Sequence, residues 1–100
     1  MIRSTNGDYI RKNNNEYRTG DQVYRRVGNG IMGSDGSHAI DHGNTIFKNS
    51  NTIRIIGNQL HTSTGVVYRL EGTTLYCSNG QQWYGVSSMA DAKAIVAMHM

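Results

Sequence analysis

The sequence lacks proline and contains one cysteine, one tryptophan and one phenylalanine in 100 residues. Because Cys77 has no second cysteine to pair with, an internal disulfide is excluded, which is typical of chains kept in a reducing compartment. No apolar run approaches the ~20 residues of a membrane span, and the polar residues 1–7 do not resemble a signal peptide. We therefore expect a cytoplasmic protein with no membrane partner.

Charged and apolar residues are also scarce, at 17% and 37%, and Asn, Gly, Ser and Thr take their place. Such a composition alone would suit a disordered chain. The apolar residues recur at regular intervals, however, which favours short strands joined by tight turns. The length suits one small core, so residues 1–100 are predicted to form a single domain.

A repeat of about 15 residues is the strongest pattern in the chain. Four glycines recur at intervals of 14 or 15 residues, and each is followed three positions later by an aliphatic residue: Gly28 with Ile31, Gly43 with Ile46, Gly57 with Leu60, and Gly72 with Leu75. A second turn residue lies eight positions after each glycine, at Gly36, Asn51, Gly65 and Gly80. Turns this frequent leave about five residues for each strand. The pattern predicts an all-β, antiparallel up-and-down meander whose residues 28–86 form four hairpins; whether it is a closed or half-open barrel stays open.

The two ends of the chain depart from this pattern. Residues 1–27 are predicted to be a basic, irregular first repeat, stretched over residues 13–20. Ser88 and Asp91 have the spacing of a capping box, and apolar residues follow at helical intervals, so residues 87–100 are predicted to form one short α-helix. We expect this helix to plug an open end or cover a face of the sheet; the alternative is a helix that swaps into a neighbouring subunit.

Two interpretations apply to the large apolar residues. The first is core packing, expected for Ile31, Ile46, Ile53, Ile55, Leu60, Leu75 and Trp83. The second is a functional role, for which Trp83 is the one candidate in that set.

The positive charge of the chain is concentrated near its start. Residues 1–27 have six basic and three acidic side chains, which accounts for the whole net charge of +3. Arginines interleaved with tyrosines are typical of strand-built surfaces that hold phosphates and stack bases, although a solvated sheet face has the same composition. The candidate partner-binding residues are Tyr9, Arg11, Lys12, Tyr17, Arg18, Tyr24, Arg25, Arg26, Trp83 and Tyr84.

Evidence for a metal site or for catalysis is weak in the sequence. His38, Asp41 and His42 form a compact cluster that His61 could approach from the next repeat, but polar loop residues are the favoured interpretation. Cys77 has no activating base near it in the sequence, and the carboxylates are dispersed. We expect no metal, no cofactor and no enzymatic activity.

Three functional classes remain. The leading one is a non-catalytic interaction protein with a protein partner; its size and repeat construction would suit a phage or mobile-element product that inhibits a host protein. The second is a nucleic-acid or nucleotide-binding domain that uses residues 1–27. The third is a structural protein that self-assembles through its strand edges. A homo-oligomer is expected in any case, because a single-chain core would be thin.

Overall fold

The computed structural model describes residues 1–20 and 22–99 and confirms a mostly β chain with one helix. The strands are β1 (Ile2–Ser4), β2 (Tyr9–Asn13), β3 (Glu16–Thr19), β4 (Gln22–Val27), β5 (Gly30–Gly33), β6 (His38–Asp41), β7 (Thr45–Lys48), β8 (Asn51–Ile56), β9 (Gln59–Thr62), β10 (Val67–Glu71), β11 (Thr74–Cys77) and β12 (Gln82–Tyr84). The helix is α1 (Met89–Met98).

The meander closes into a barrel. Each strand pairs antiparallel with the strands before and after it, and β1 pairs with β12, where Arg3 lies opposite Tyr84. All twelve of these strands consequently have two hydrogen-bonded neighbours. A closed barrel removes the open edges through which sheets associate, so self-assembly by strand edges has no template among the strands described.

Tight turns with a residue at positive φ join many of the strands. Between β4 and β5, for example, Val27 lies opposite Gly30 and Gly28 has φ of 59°. A two-residue hairpin loop needs this left-handed backbone, which glycine adopts without steric cost. The predicted turn residue Asn51 is wrong: it begins β8, and Asn49, with φ of 55°, takes the turn position.

The first quarter of the chain is more regular than the sequence predicts. Residues 1–20 and 22–27 form four strands, β1 to β4, and the stretch expected to be an insertion contains the whole of β3. The β2–β3 connection is a two-residue turn, because Asn13 lies opposite Glu16 with Asn14 at φ of 56° between them. Asparagine here takes the place of the glycine that marks the other turns, so the glycine pattern does not predict this turn.

The core is built from an inner ring to which every strand contributes a buried side chain. The ring residues are Ile2, Ile10, Tyr17, Tyr24, Ile31, Ala39, Ile46, Ile53, Leu60, Tyr68, Leu75 and Trp83. They recur every seven or eight positions, which is one strand plus one turn. The predicted core residues are confirmed, with Ile55 half-buried against the core.

Helix α1 lies inside the barrel. Its buried residues cover every side of the helix: Asp91, Ala92, Ala94, Ile95, Val96 and Ala97. It contacts β4, β5 and β10, and β4 and β10 lie on opposite sides of the ring. Inward-facing side chains alone can fill a barrel of about eight strands, but a barrel of twelve strands is wider. Its interior therefore has room for a helix. Of the two predicted positions, the helix therefore takes the second, since it covers the inner face of the sheet; it does not plug an open end.

The predicted helix start is confirmed, since the Ser88 hydroxyl accepts a hydrogen bond from the Asp91 amide at 3.3 Å. Within residues 1–20 and 22–99, no helix is long and apolar enough to cross a membrane.

Candidate functional site

Strand alternation separates the candidate residues into an inner and an outer set. Tyr17, Tyr24 and Trp83 belong to the inner ring and are at most 3% exposed, so their predicted place on a docking surface is wrong. Tyr17 lies opposite Tyr24, and Trp83 lies opposite Leu75, all directed inward. Their aromatic rings fill the space between the wall and the helix, which explains why so few aliphatic residues suffice for the core.

Lys12 is directed towards the N-terminal end of the helix. Its ammonium lies 2.8 Å from the Asp91 carboxylate, which also accepts hydrogen bonds from the Tyr17 hydroxyl at 2.7 Å and the Ser87 hydroxyl at 2.9 Å. Burial opposes ionisation of Asp91, but these donors outweigh it and hold the pKa of Asp91 below its ordinary value. Burial, reinforced by the Asp91 charge, raises the pKa of Tyr17. Lys12 therefore anchors the helix.

Arg26 is the second basic candidate that faces inward. Its guanidinium lies 3.1 Å from the Asp41 carboxylate and donates a 3.1 Å hydrogen bond to the Ala90 carbonyl of the helix. Lys93 reaches from the helix to the same carboxylate at 3.4 Å and to the Gly43 carbonyl at 2.7 Å. Burial of Asp41 is outweighed by hydrogen bonds from Gly43, Arg26 and Lys93, which lower its pKa. Arg26 is thus a structural residue.

The histidine cluster does not converge. His38 is exposed, the ring of His42 packs edge-on against Phe47 at 5.4 Å, and the Asp41 carboxylate is occupied by two cations. His61 lies on β9, three strands from the β6 residues it was expected to approach. In the part of the chain that the structure describes, no group of three or more potential metal ligands is brought together.

Outside the barrel, arginine and tyrosine side chains from three neighbouring strands form a row. Arg3 on β1 lies opposite Tyr84 on β12 and opposite Tyr9 on β2, and Arg11 follows on the same face of β2. All four side chains are exposed. Arg3, Tyr9, Arg11 and Asp8 line a groove of about 370 Å³, here called the arginine-tyrosine groove.

The remaining basic candidates, Arg18 and Arg25, also face outward but share a carboxylate. Their guanidinium groups lie 3.2 Å and 3.0 Å from the Glu16 side chain. The Arg25 hydrogen bond is the main cause of the lowered pKa of Glu16, with Arg18 adding to it. Two arginines against one glutamate leave this part of the wall positively charged.

A second outer feature, the outer apolar patch, consists of Val27, Met32, Ile40 and Phe47 on strands β4 to β7. These side chains are between 37% and 53% exposed. Ile40 lies directly opposite Phe47, and Gly30 on β5 is paired with Val27 on one side and with Ile40 on the other, with the end of the His38 side chain lying over Gly30. Met32 lies opposite Arg25, so the patch has a cationic border.

Sequence reasoning missed both Arg3 and the outer apolar patch. The spacing of the inner ring contained the signal for the patch, because residues next to Ala39 and Ile46 must point outward. No local pattern reveals that Arg3 lies beside Tyr84, since that contact depends on barrel closure.

No protein-family model matches the sequence, and neither a curated protein nor a solved structure matches the chain. What the chain can bind therefore follows from its own side chains.

Proposed function

We propose that this chain is a non-catalytic interaction protein that docks a protein partner on the outer apolar patch. The observation that carries the proposal is that four neighbouring strands of a closed barrel each expose one large apolar side chain, two of which, Ile40 and Phe47, lie directly opposite each other. Single exposed apolar residues are ordinary, whereas a contiguous group bordered by charge is typical of protein-binding surfaces.

The filled interior of the barrel supports a binding site on the outer wall. Helix α1 occupies the space that a ligand would take in a barrel of this size. Carboxylates with shifted pKa values often mark catalytic sites. Here Asp91 and Asp41 have structural roles instead, because each binds cations that fasten the helix to the wall.

Charge around the patch indicates the chemistry of the partner. Arg25 borders Met32, and Glu16 neutralises only one of the two arginines that it binds. A partner with an apolar centre and an acidic border would complement this surface, with the apolar contacts supplying affinity and the charges supplying orientation. A rigid barrel loses little conformational entropy on docking, which suits an inhibitor that covers a working surface of its partner.

The test compares affinity capture by three tagged chains at high salt: the wild type, the Ile40→Thr/Phe47→Thr variant and the Ile56→Thr variant. Ile56 is the matched control, since it is 61% exposed on β8 and lies outside the patch. Threonine favours strands, so both variants should keep the fold. A partner captured by the wild type should bind the double variant at least about tenfold more weakly and the control equally well.

Equal retention of the partner by the double variant would reject the patch as the docking surface. The mass of the purified wild type by light scattering provides a second test. A dimer that Ile40→Thr/Phe47→Thr dissociates would mean that a second copy of this chain covers the patch, which would also overturn the proposal of a foreign partner.

A further inference from the structure

The arginine-tyrosine groove has the composition of a site for a phosphate joined to an aromatic ring. Tyr9 lies between the two cations, Arg3 on the neighbouring strand and Arg11 on its own. Adjacent strands are about 4.8 Å apart and alternate residues on one strand about 6.6 Å apart, so one small ligand can contact all three side chains. The groove volume of about 370 Å³ is within the usual range for small-molecule sites.

The two arginines of the groove are available to an anion. Arg18 and Arg25 are held by Glu16, whereas neither Arg3 nor Arg11 makes an ion pair within residues 1–20 and 22–99. Arginine binds phosphate through two parallel hydrogen bonds, which gives it geometric selectivity as well as charge. An exposed tyrosine between two such groups presents its ring to a planar base.

We infer that this groove binds a nucleotide, with its phosphate on Arg3 and Arg11 and its base stacked on Tyr9. Asp8 lines the groove as well, and its carboxylate repels phosphate while accepting hydrogen bonds from a sugar hydroxyl or a base amine. Its presence therefore orients the ligand. The row continues past Arg3 to Tyr84, where a second base can stack. The same chemistry is offered by a free nucleotide and by a single-stranded nucleic acid.

The experiment measures fluorescence anisotropy of a labelled oligothymidylate of about eight nucleotides, a typical length for a single-strand site, over a series of salt concentrations. Competition with unlabelled thymidine monophosphate distinguishes the two sources. The variants are Arg3→Gln, Arg11→Gln and Tyr9→Thr. Arg54→Gln is the matched control, because Arg54 is an exposed arginine on β8, six strands away from β2 around the ring.

Each arginine substitution should make the fall of log affinity with log salt less steep, by up to about 0.7, the value for the one phosphate that the two arginines share. Tyr9→Thr should weaken binding about tenfold with the slope unchanged, and Arg54→Gln should match the wild type. If thymidine monophosphate displaces the labelled oligonucleotide with an affinity similar to that of the oligonucleotide, the groove is a mononucleotide site. If the monophosphate does not displace it, the groove binds single-stranded nucleic acid.

An equal loss in Arg54→Gln and Arg3→Gln would overturn the inference, since binding would then depend on net charge alone. Full binding by Tyr9→Thr would overturn it as well. The Ile40→Thr/Phe47→Thr variant should bind the oligonucleotide as the wild type does. The nucleotide site in the groove and the protein-docking site on the outer apolar patch can therefore be rejected independently of each other.

Discussion

Replacement of Asp91 by alanine should detach the N-terminal end of the central helix from the barrel. The Asp91 side chain is 1% exposed and receives three donors, from Lys12, Tyr17 and Ser87. Alanine would leave the Tyr17 hydroxyl buried without an acceptor and the Lys12 ammonium without its counter-charge. The two strands that provide these groups, β2 and β3, would lose their polar ties to α1.

The expected cost can be worked out donor by donor. A hydrogen bond to a charged group contributes about 1.5–3 kcal/mol, and the buried Tyr17 hydroxyl should lie within this range. The Lys12 side chain is 37% exposed, so water solvates it in the variant and its share is only about 0–1 kcal/mol. With a smaller share from Ser87, Asp91→Ala should lower the free energy of unfolding by about 2–4 kcal/mol. A chain of this length has about 5–15 kcal/mol in total.

Urea denaturation followed by tryptophan fluorescence provides the assay. Trp83 is the one tryptophan of the chain, it is buried in the inner ring, and its ring centre lies 5.0 Å from that of His99 at the helix C-terminus. Its emission therefore reports on helix and barrel together. The control is Glu71→Ala, which removes an exposed ion pair with Arg69 and should cost less than about 1 kcal/mol.

The reasoning would be refuted if Asp91→Ala lost less than about 1 kcal/mol at an unchanged m-value. The buried carboxylate would then not anchor the helix. A lowered m-value in this variant would instead indicate that part of the structure, such as α1, is already unfolded before the main transition.

The pKa of Asp91 is lower in the folded chain than its value of about 3.9 in the unfolded chain. The stabilisation by its carboxylate is therefore complete above about pH 4 and is lost as the pH falls through the folded pKa. The urea concentration at the unfolding midpoint should consequently decrease when the pH is lowered below about 4, and it should decrease less steeply in Asp91→Asn. A Cβ at Gly33 would lie 2.5 Å from the hydroxyl of a turn serine, so Gly33→Ala should cost about 1–3 kcal/mol in the same assay, and Gly30→Ala, whose nearest atom is the end of a histidine side chain at 3.0 Å, should cost less. Ala94→Leu should lower the thermal midpoint strongly because Ala94 is fully buried, whereas Ala90→Leu, at an exposed position in the first turn of the same helix, should leave it unchanged.

Local features of the fold were predictable from the sequence because local turn chemistry determines them. Glycines such as Gly28 adopt positive φ in tight turns, and Ser88 caps the helix through its hydroxyl. Barrel closure was not predictable, since the pairing of β1 with β12 joins the two ends of the sheet and leaves no local trace. The sequence predicted a helix that plugs an open end or covers a face of the sheet, but not that this face is the inner one, because the inside of the barrel exists only once the sheet has closed.

The candidate site was predictable only in part, because composition does not reveal direction. The excess of arginine and tyrosine in residues 1–27 was visible, but Tyr17 and Tyr24 face inward while Tyr9 faces outward. A strand reverses the direction of its side chains with every residue, so an error of one position moves a candidate from the surface to the core. Lys12 and Arg26 were misjudged in this way, since both face the helix.

We therefore propose two separate roles for the basic first quarter of the chain. Its inward cations, Lys12 and Arg26, stabilise the core by binding the central helix, whereas its outward cations, Arg3 and Arg11, leave the core untouched. Alternating faces of the same strands keep these roles apart, because a change on the outer face replaces no atom that packs against α1. Substitutions in the arginine-tyrosine groove or the outer apolar patch should consequently alter binding at constant stability. Substitution of Lys12 or Arg26 should instead lower stability first, and binding only through loss of the folded barrel.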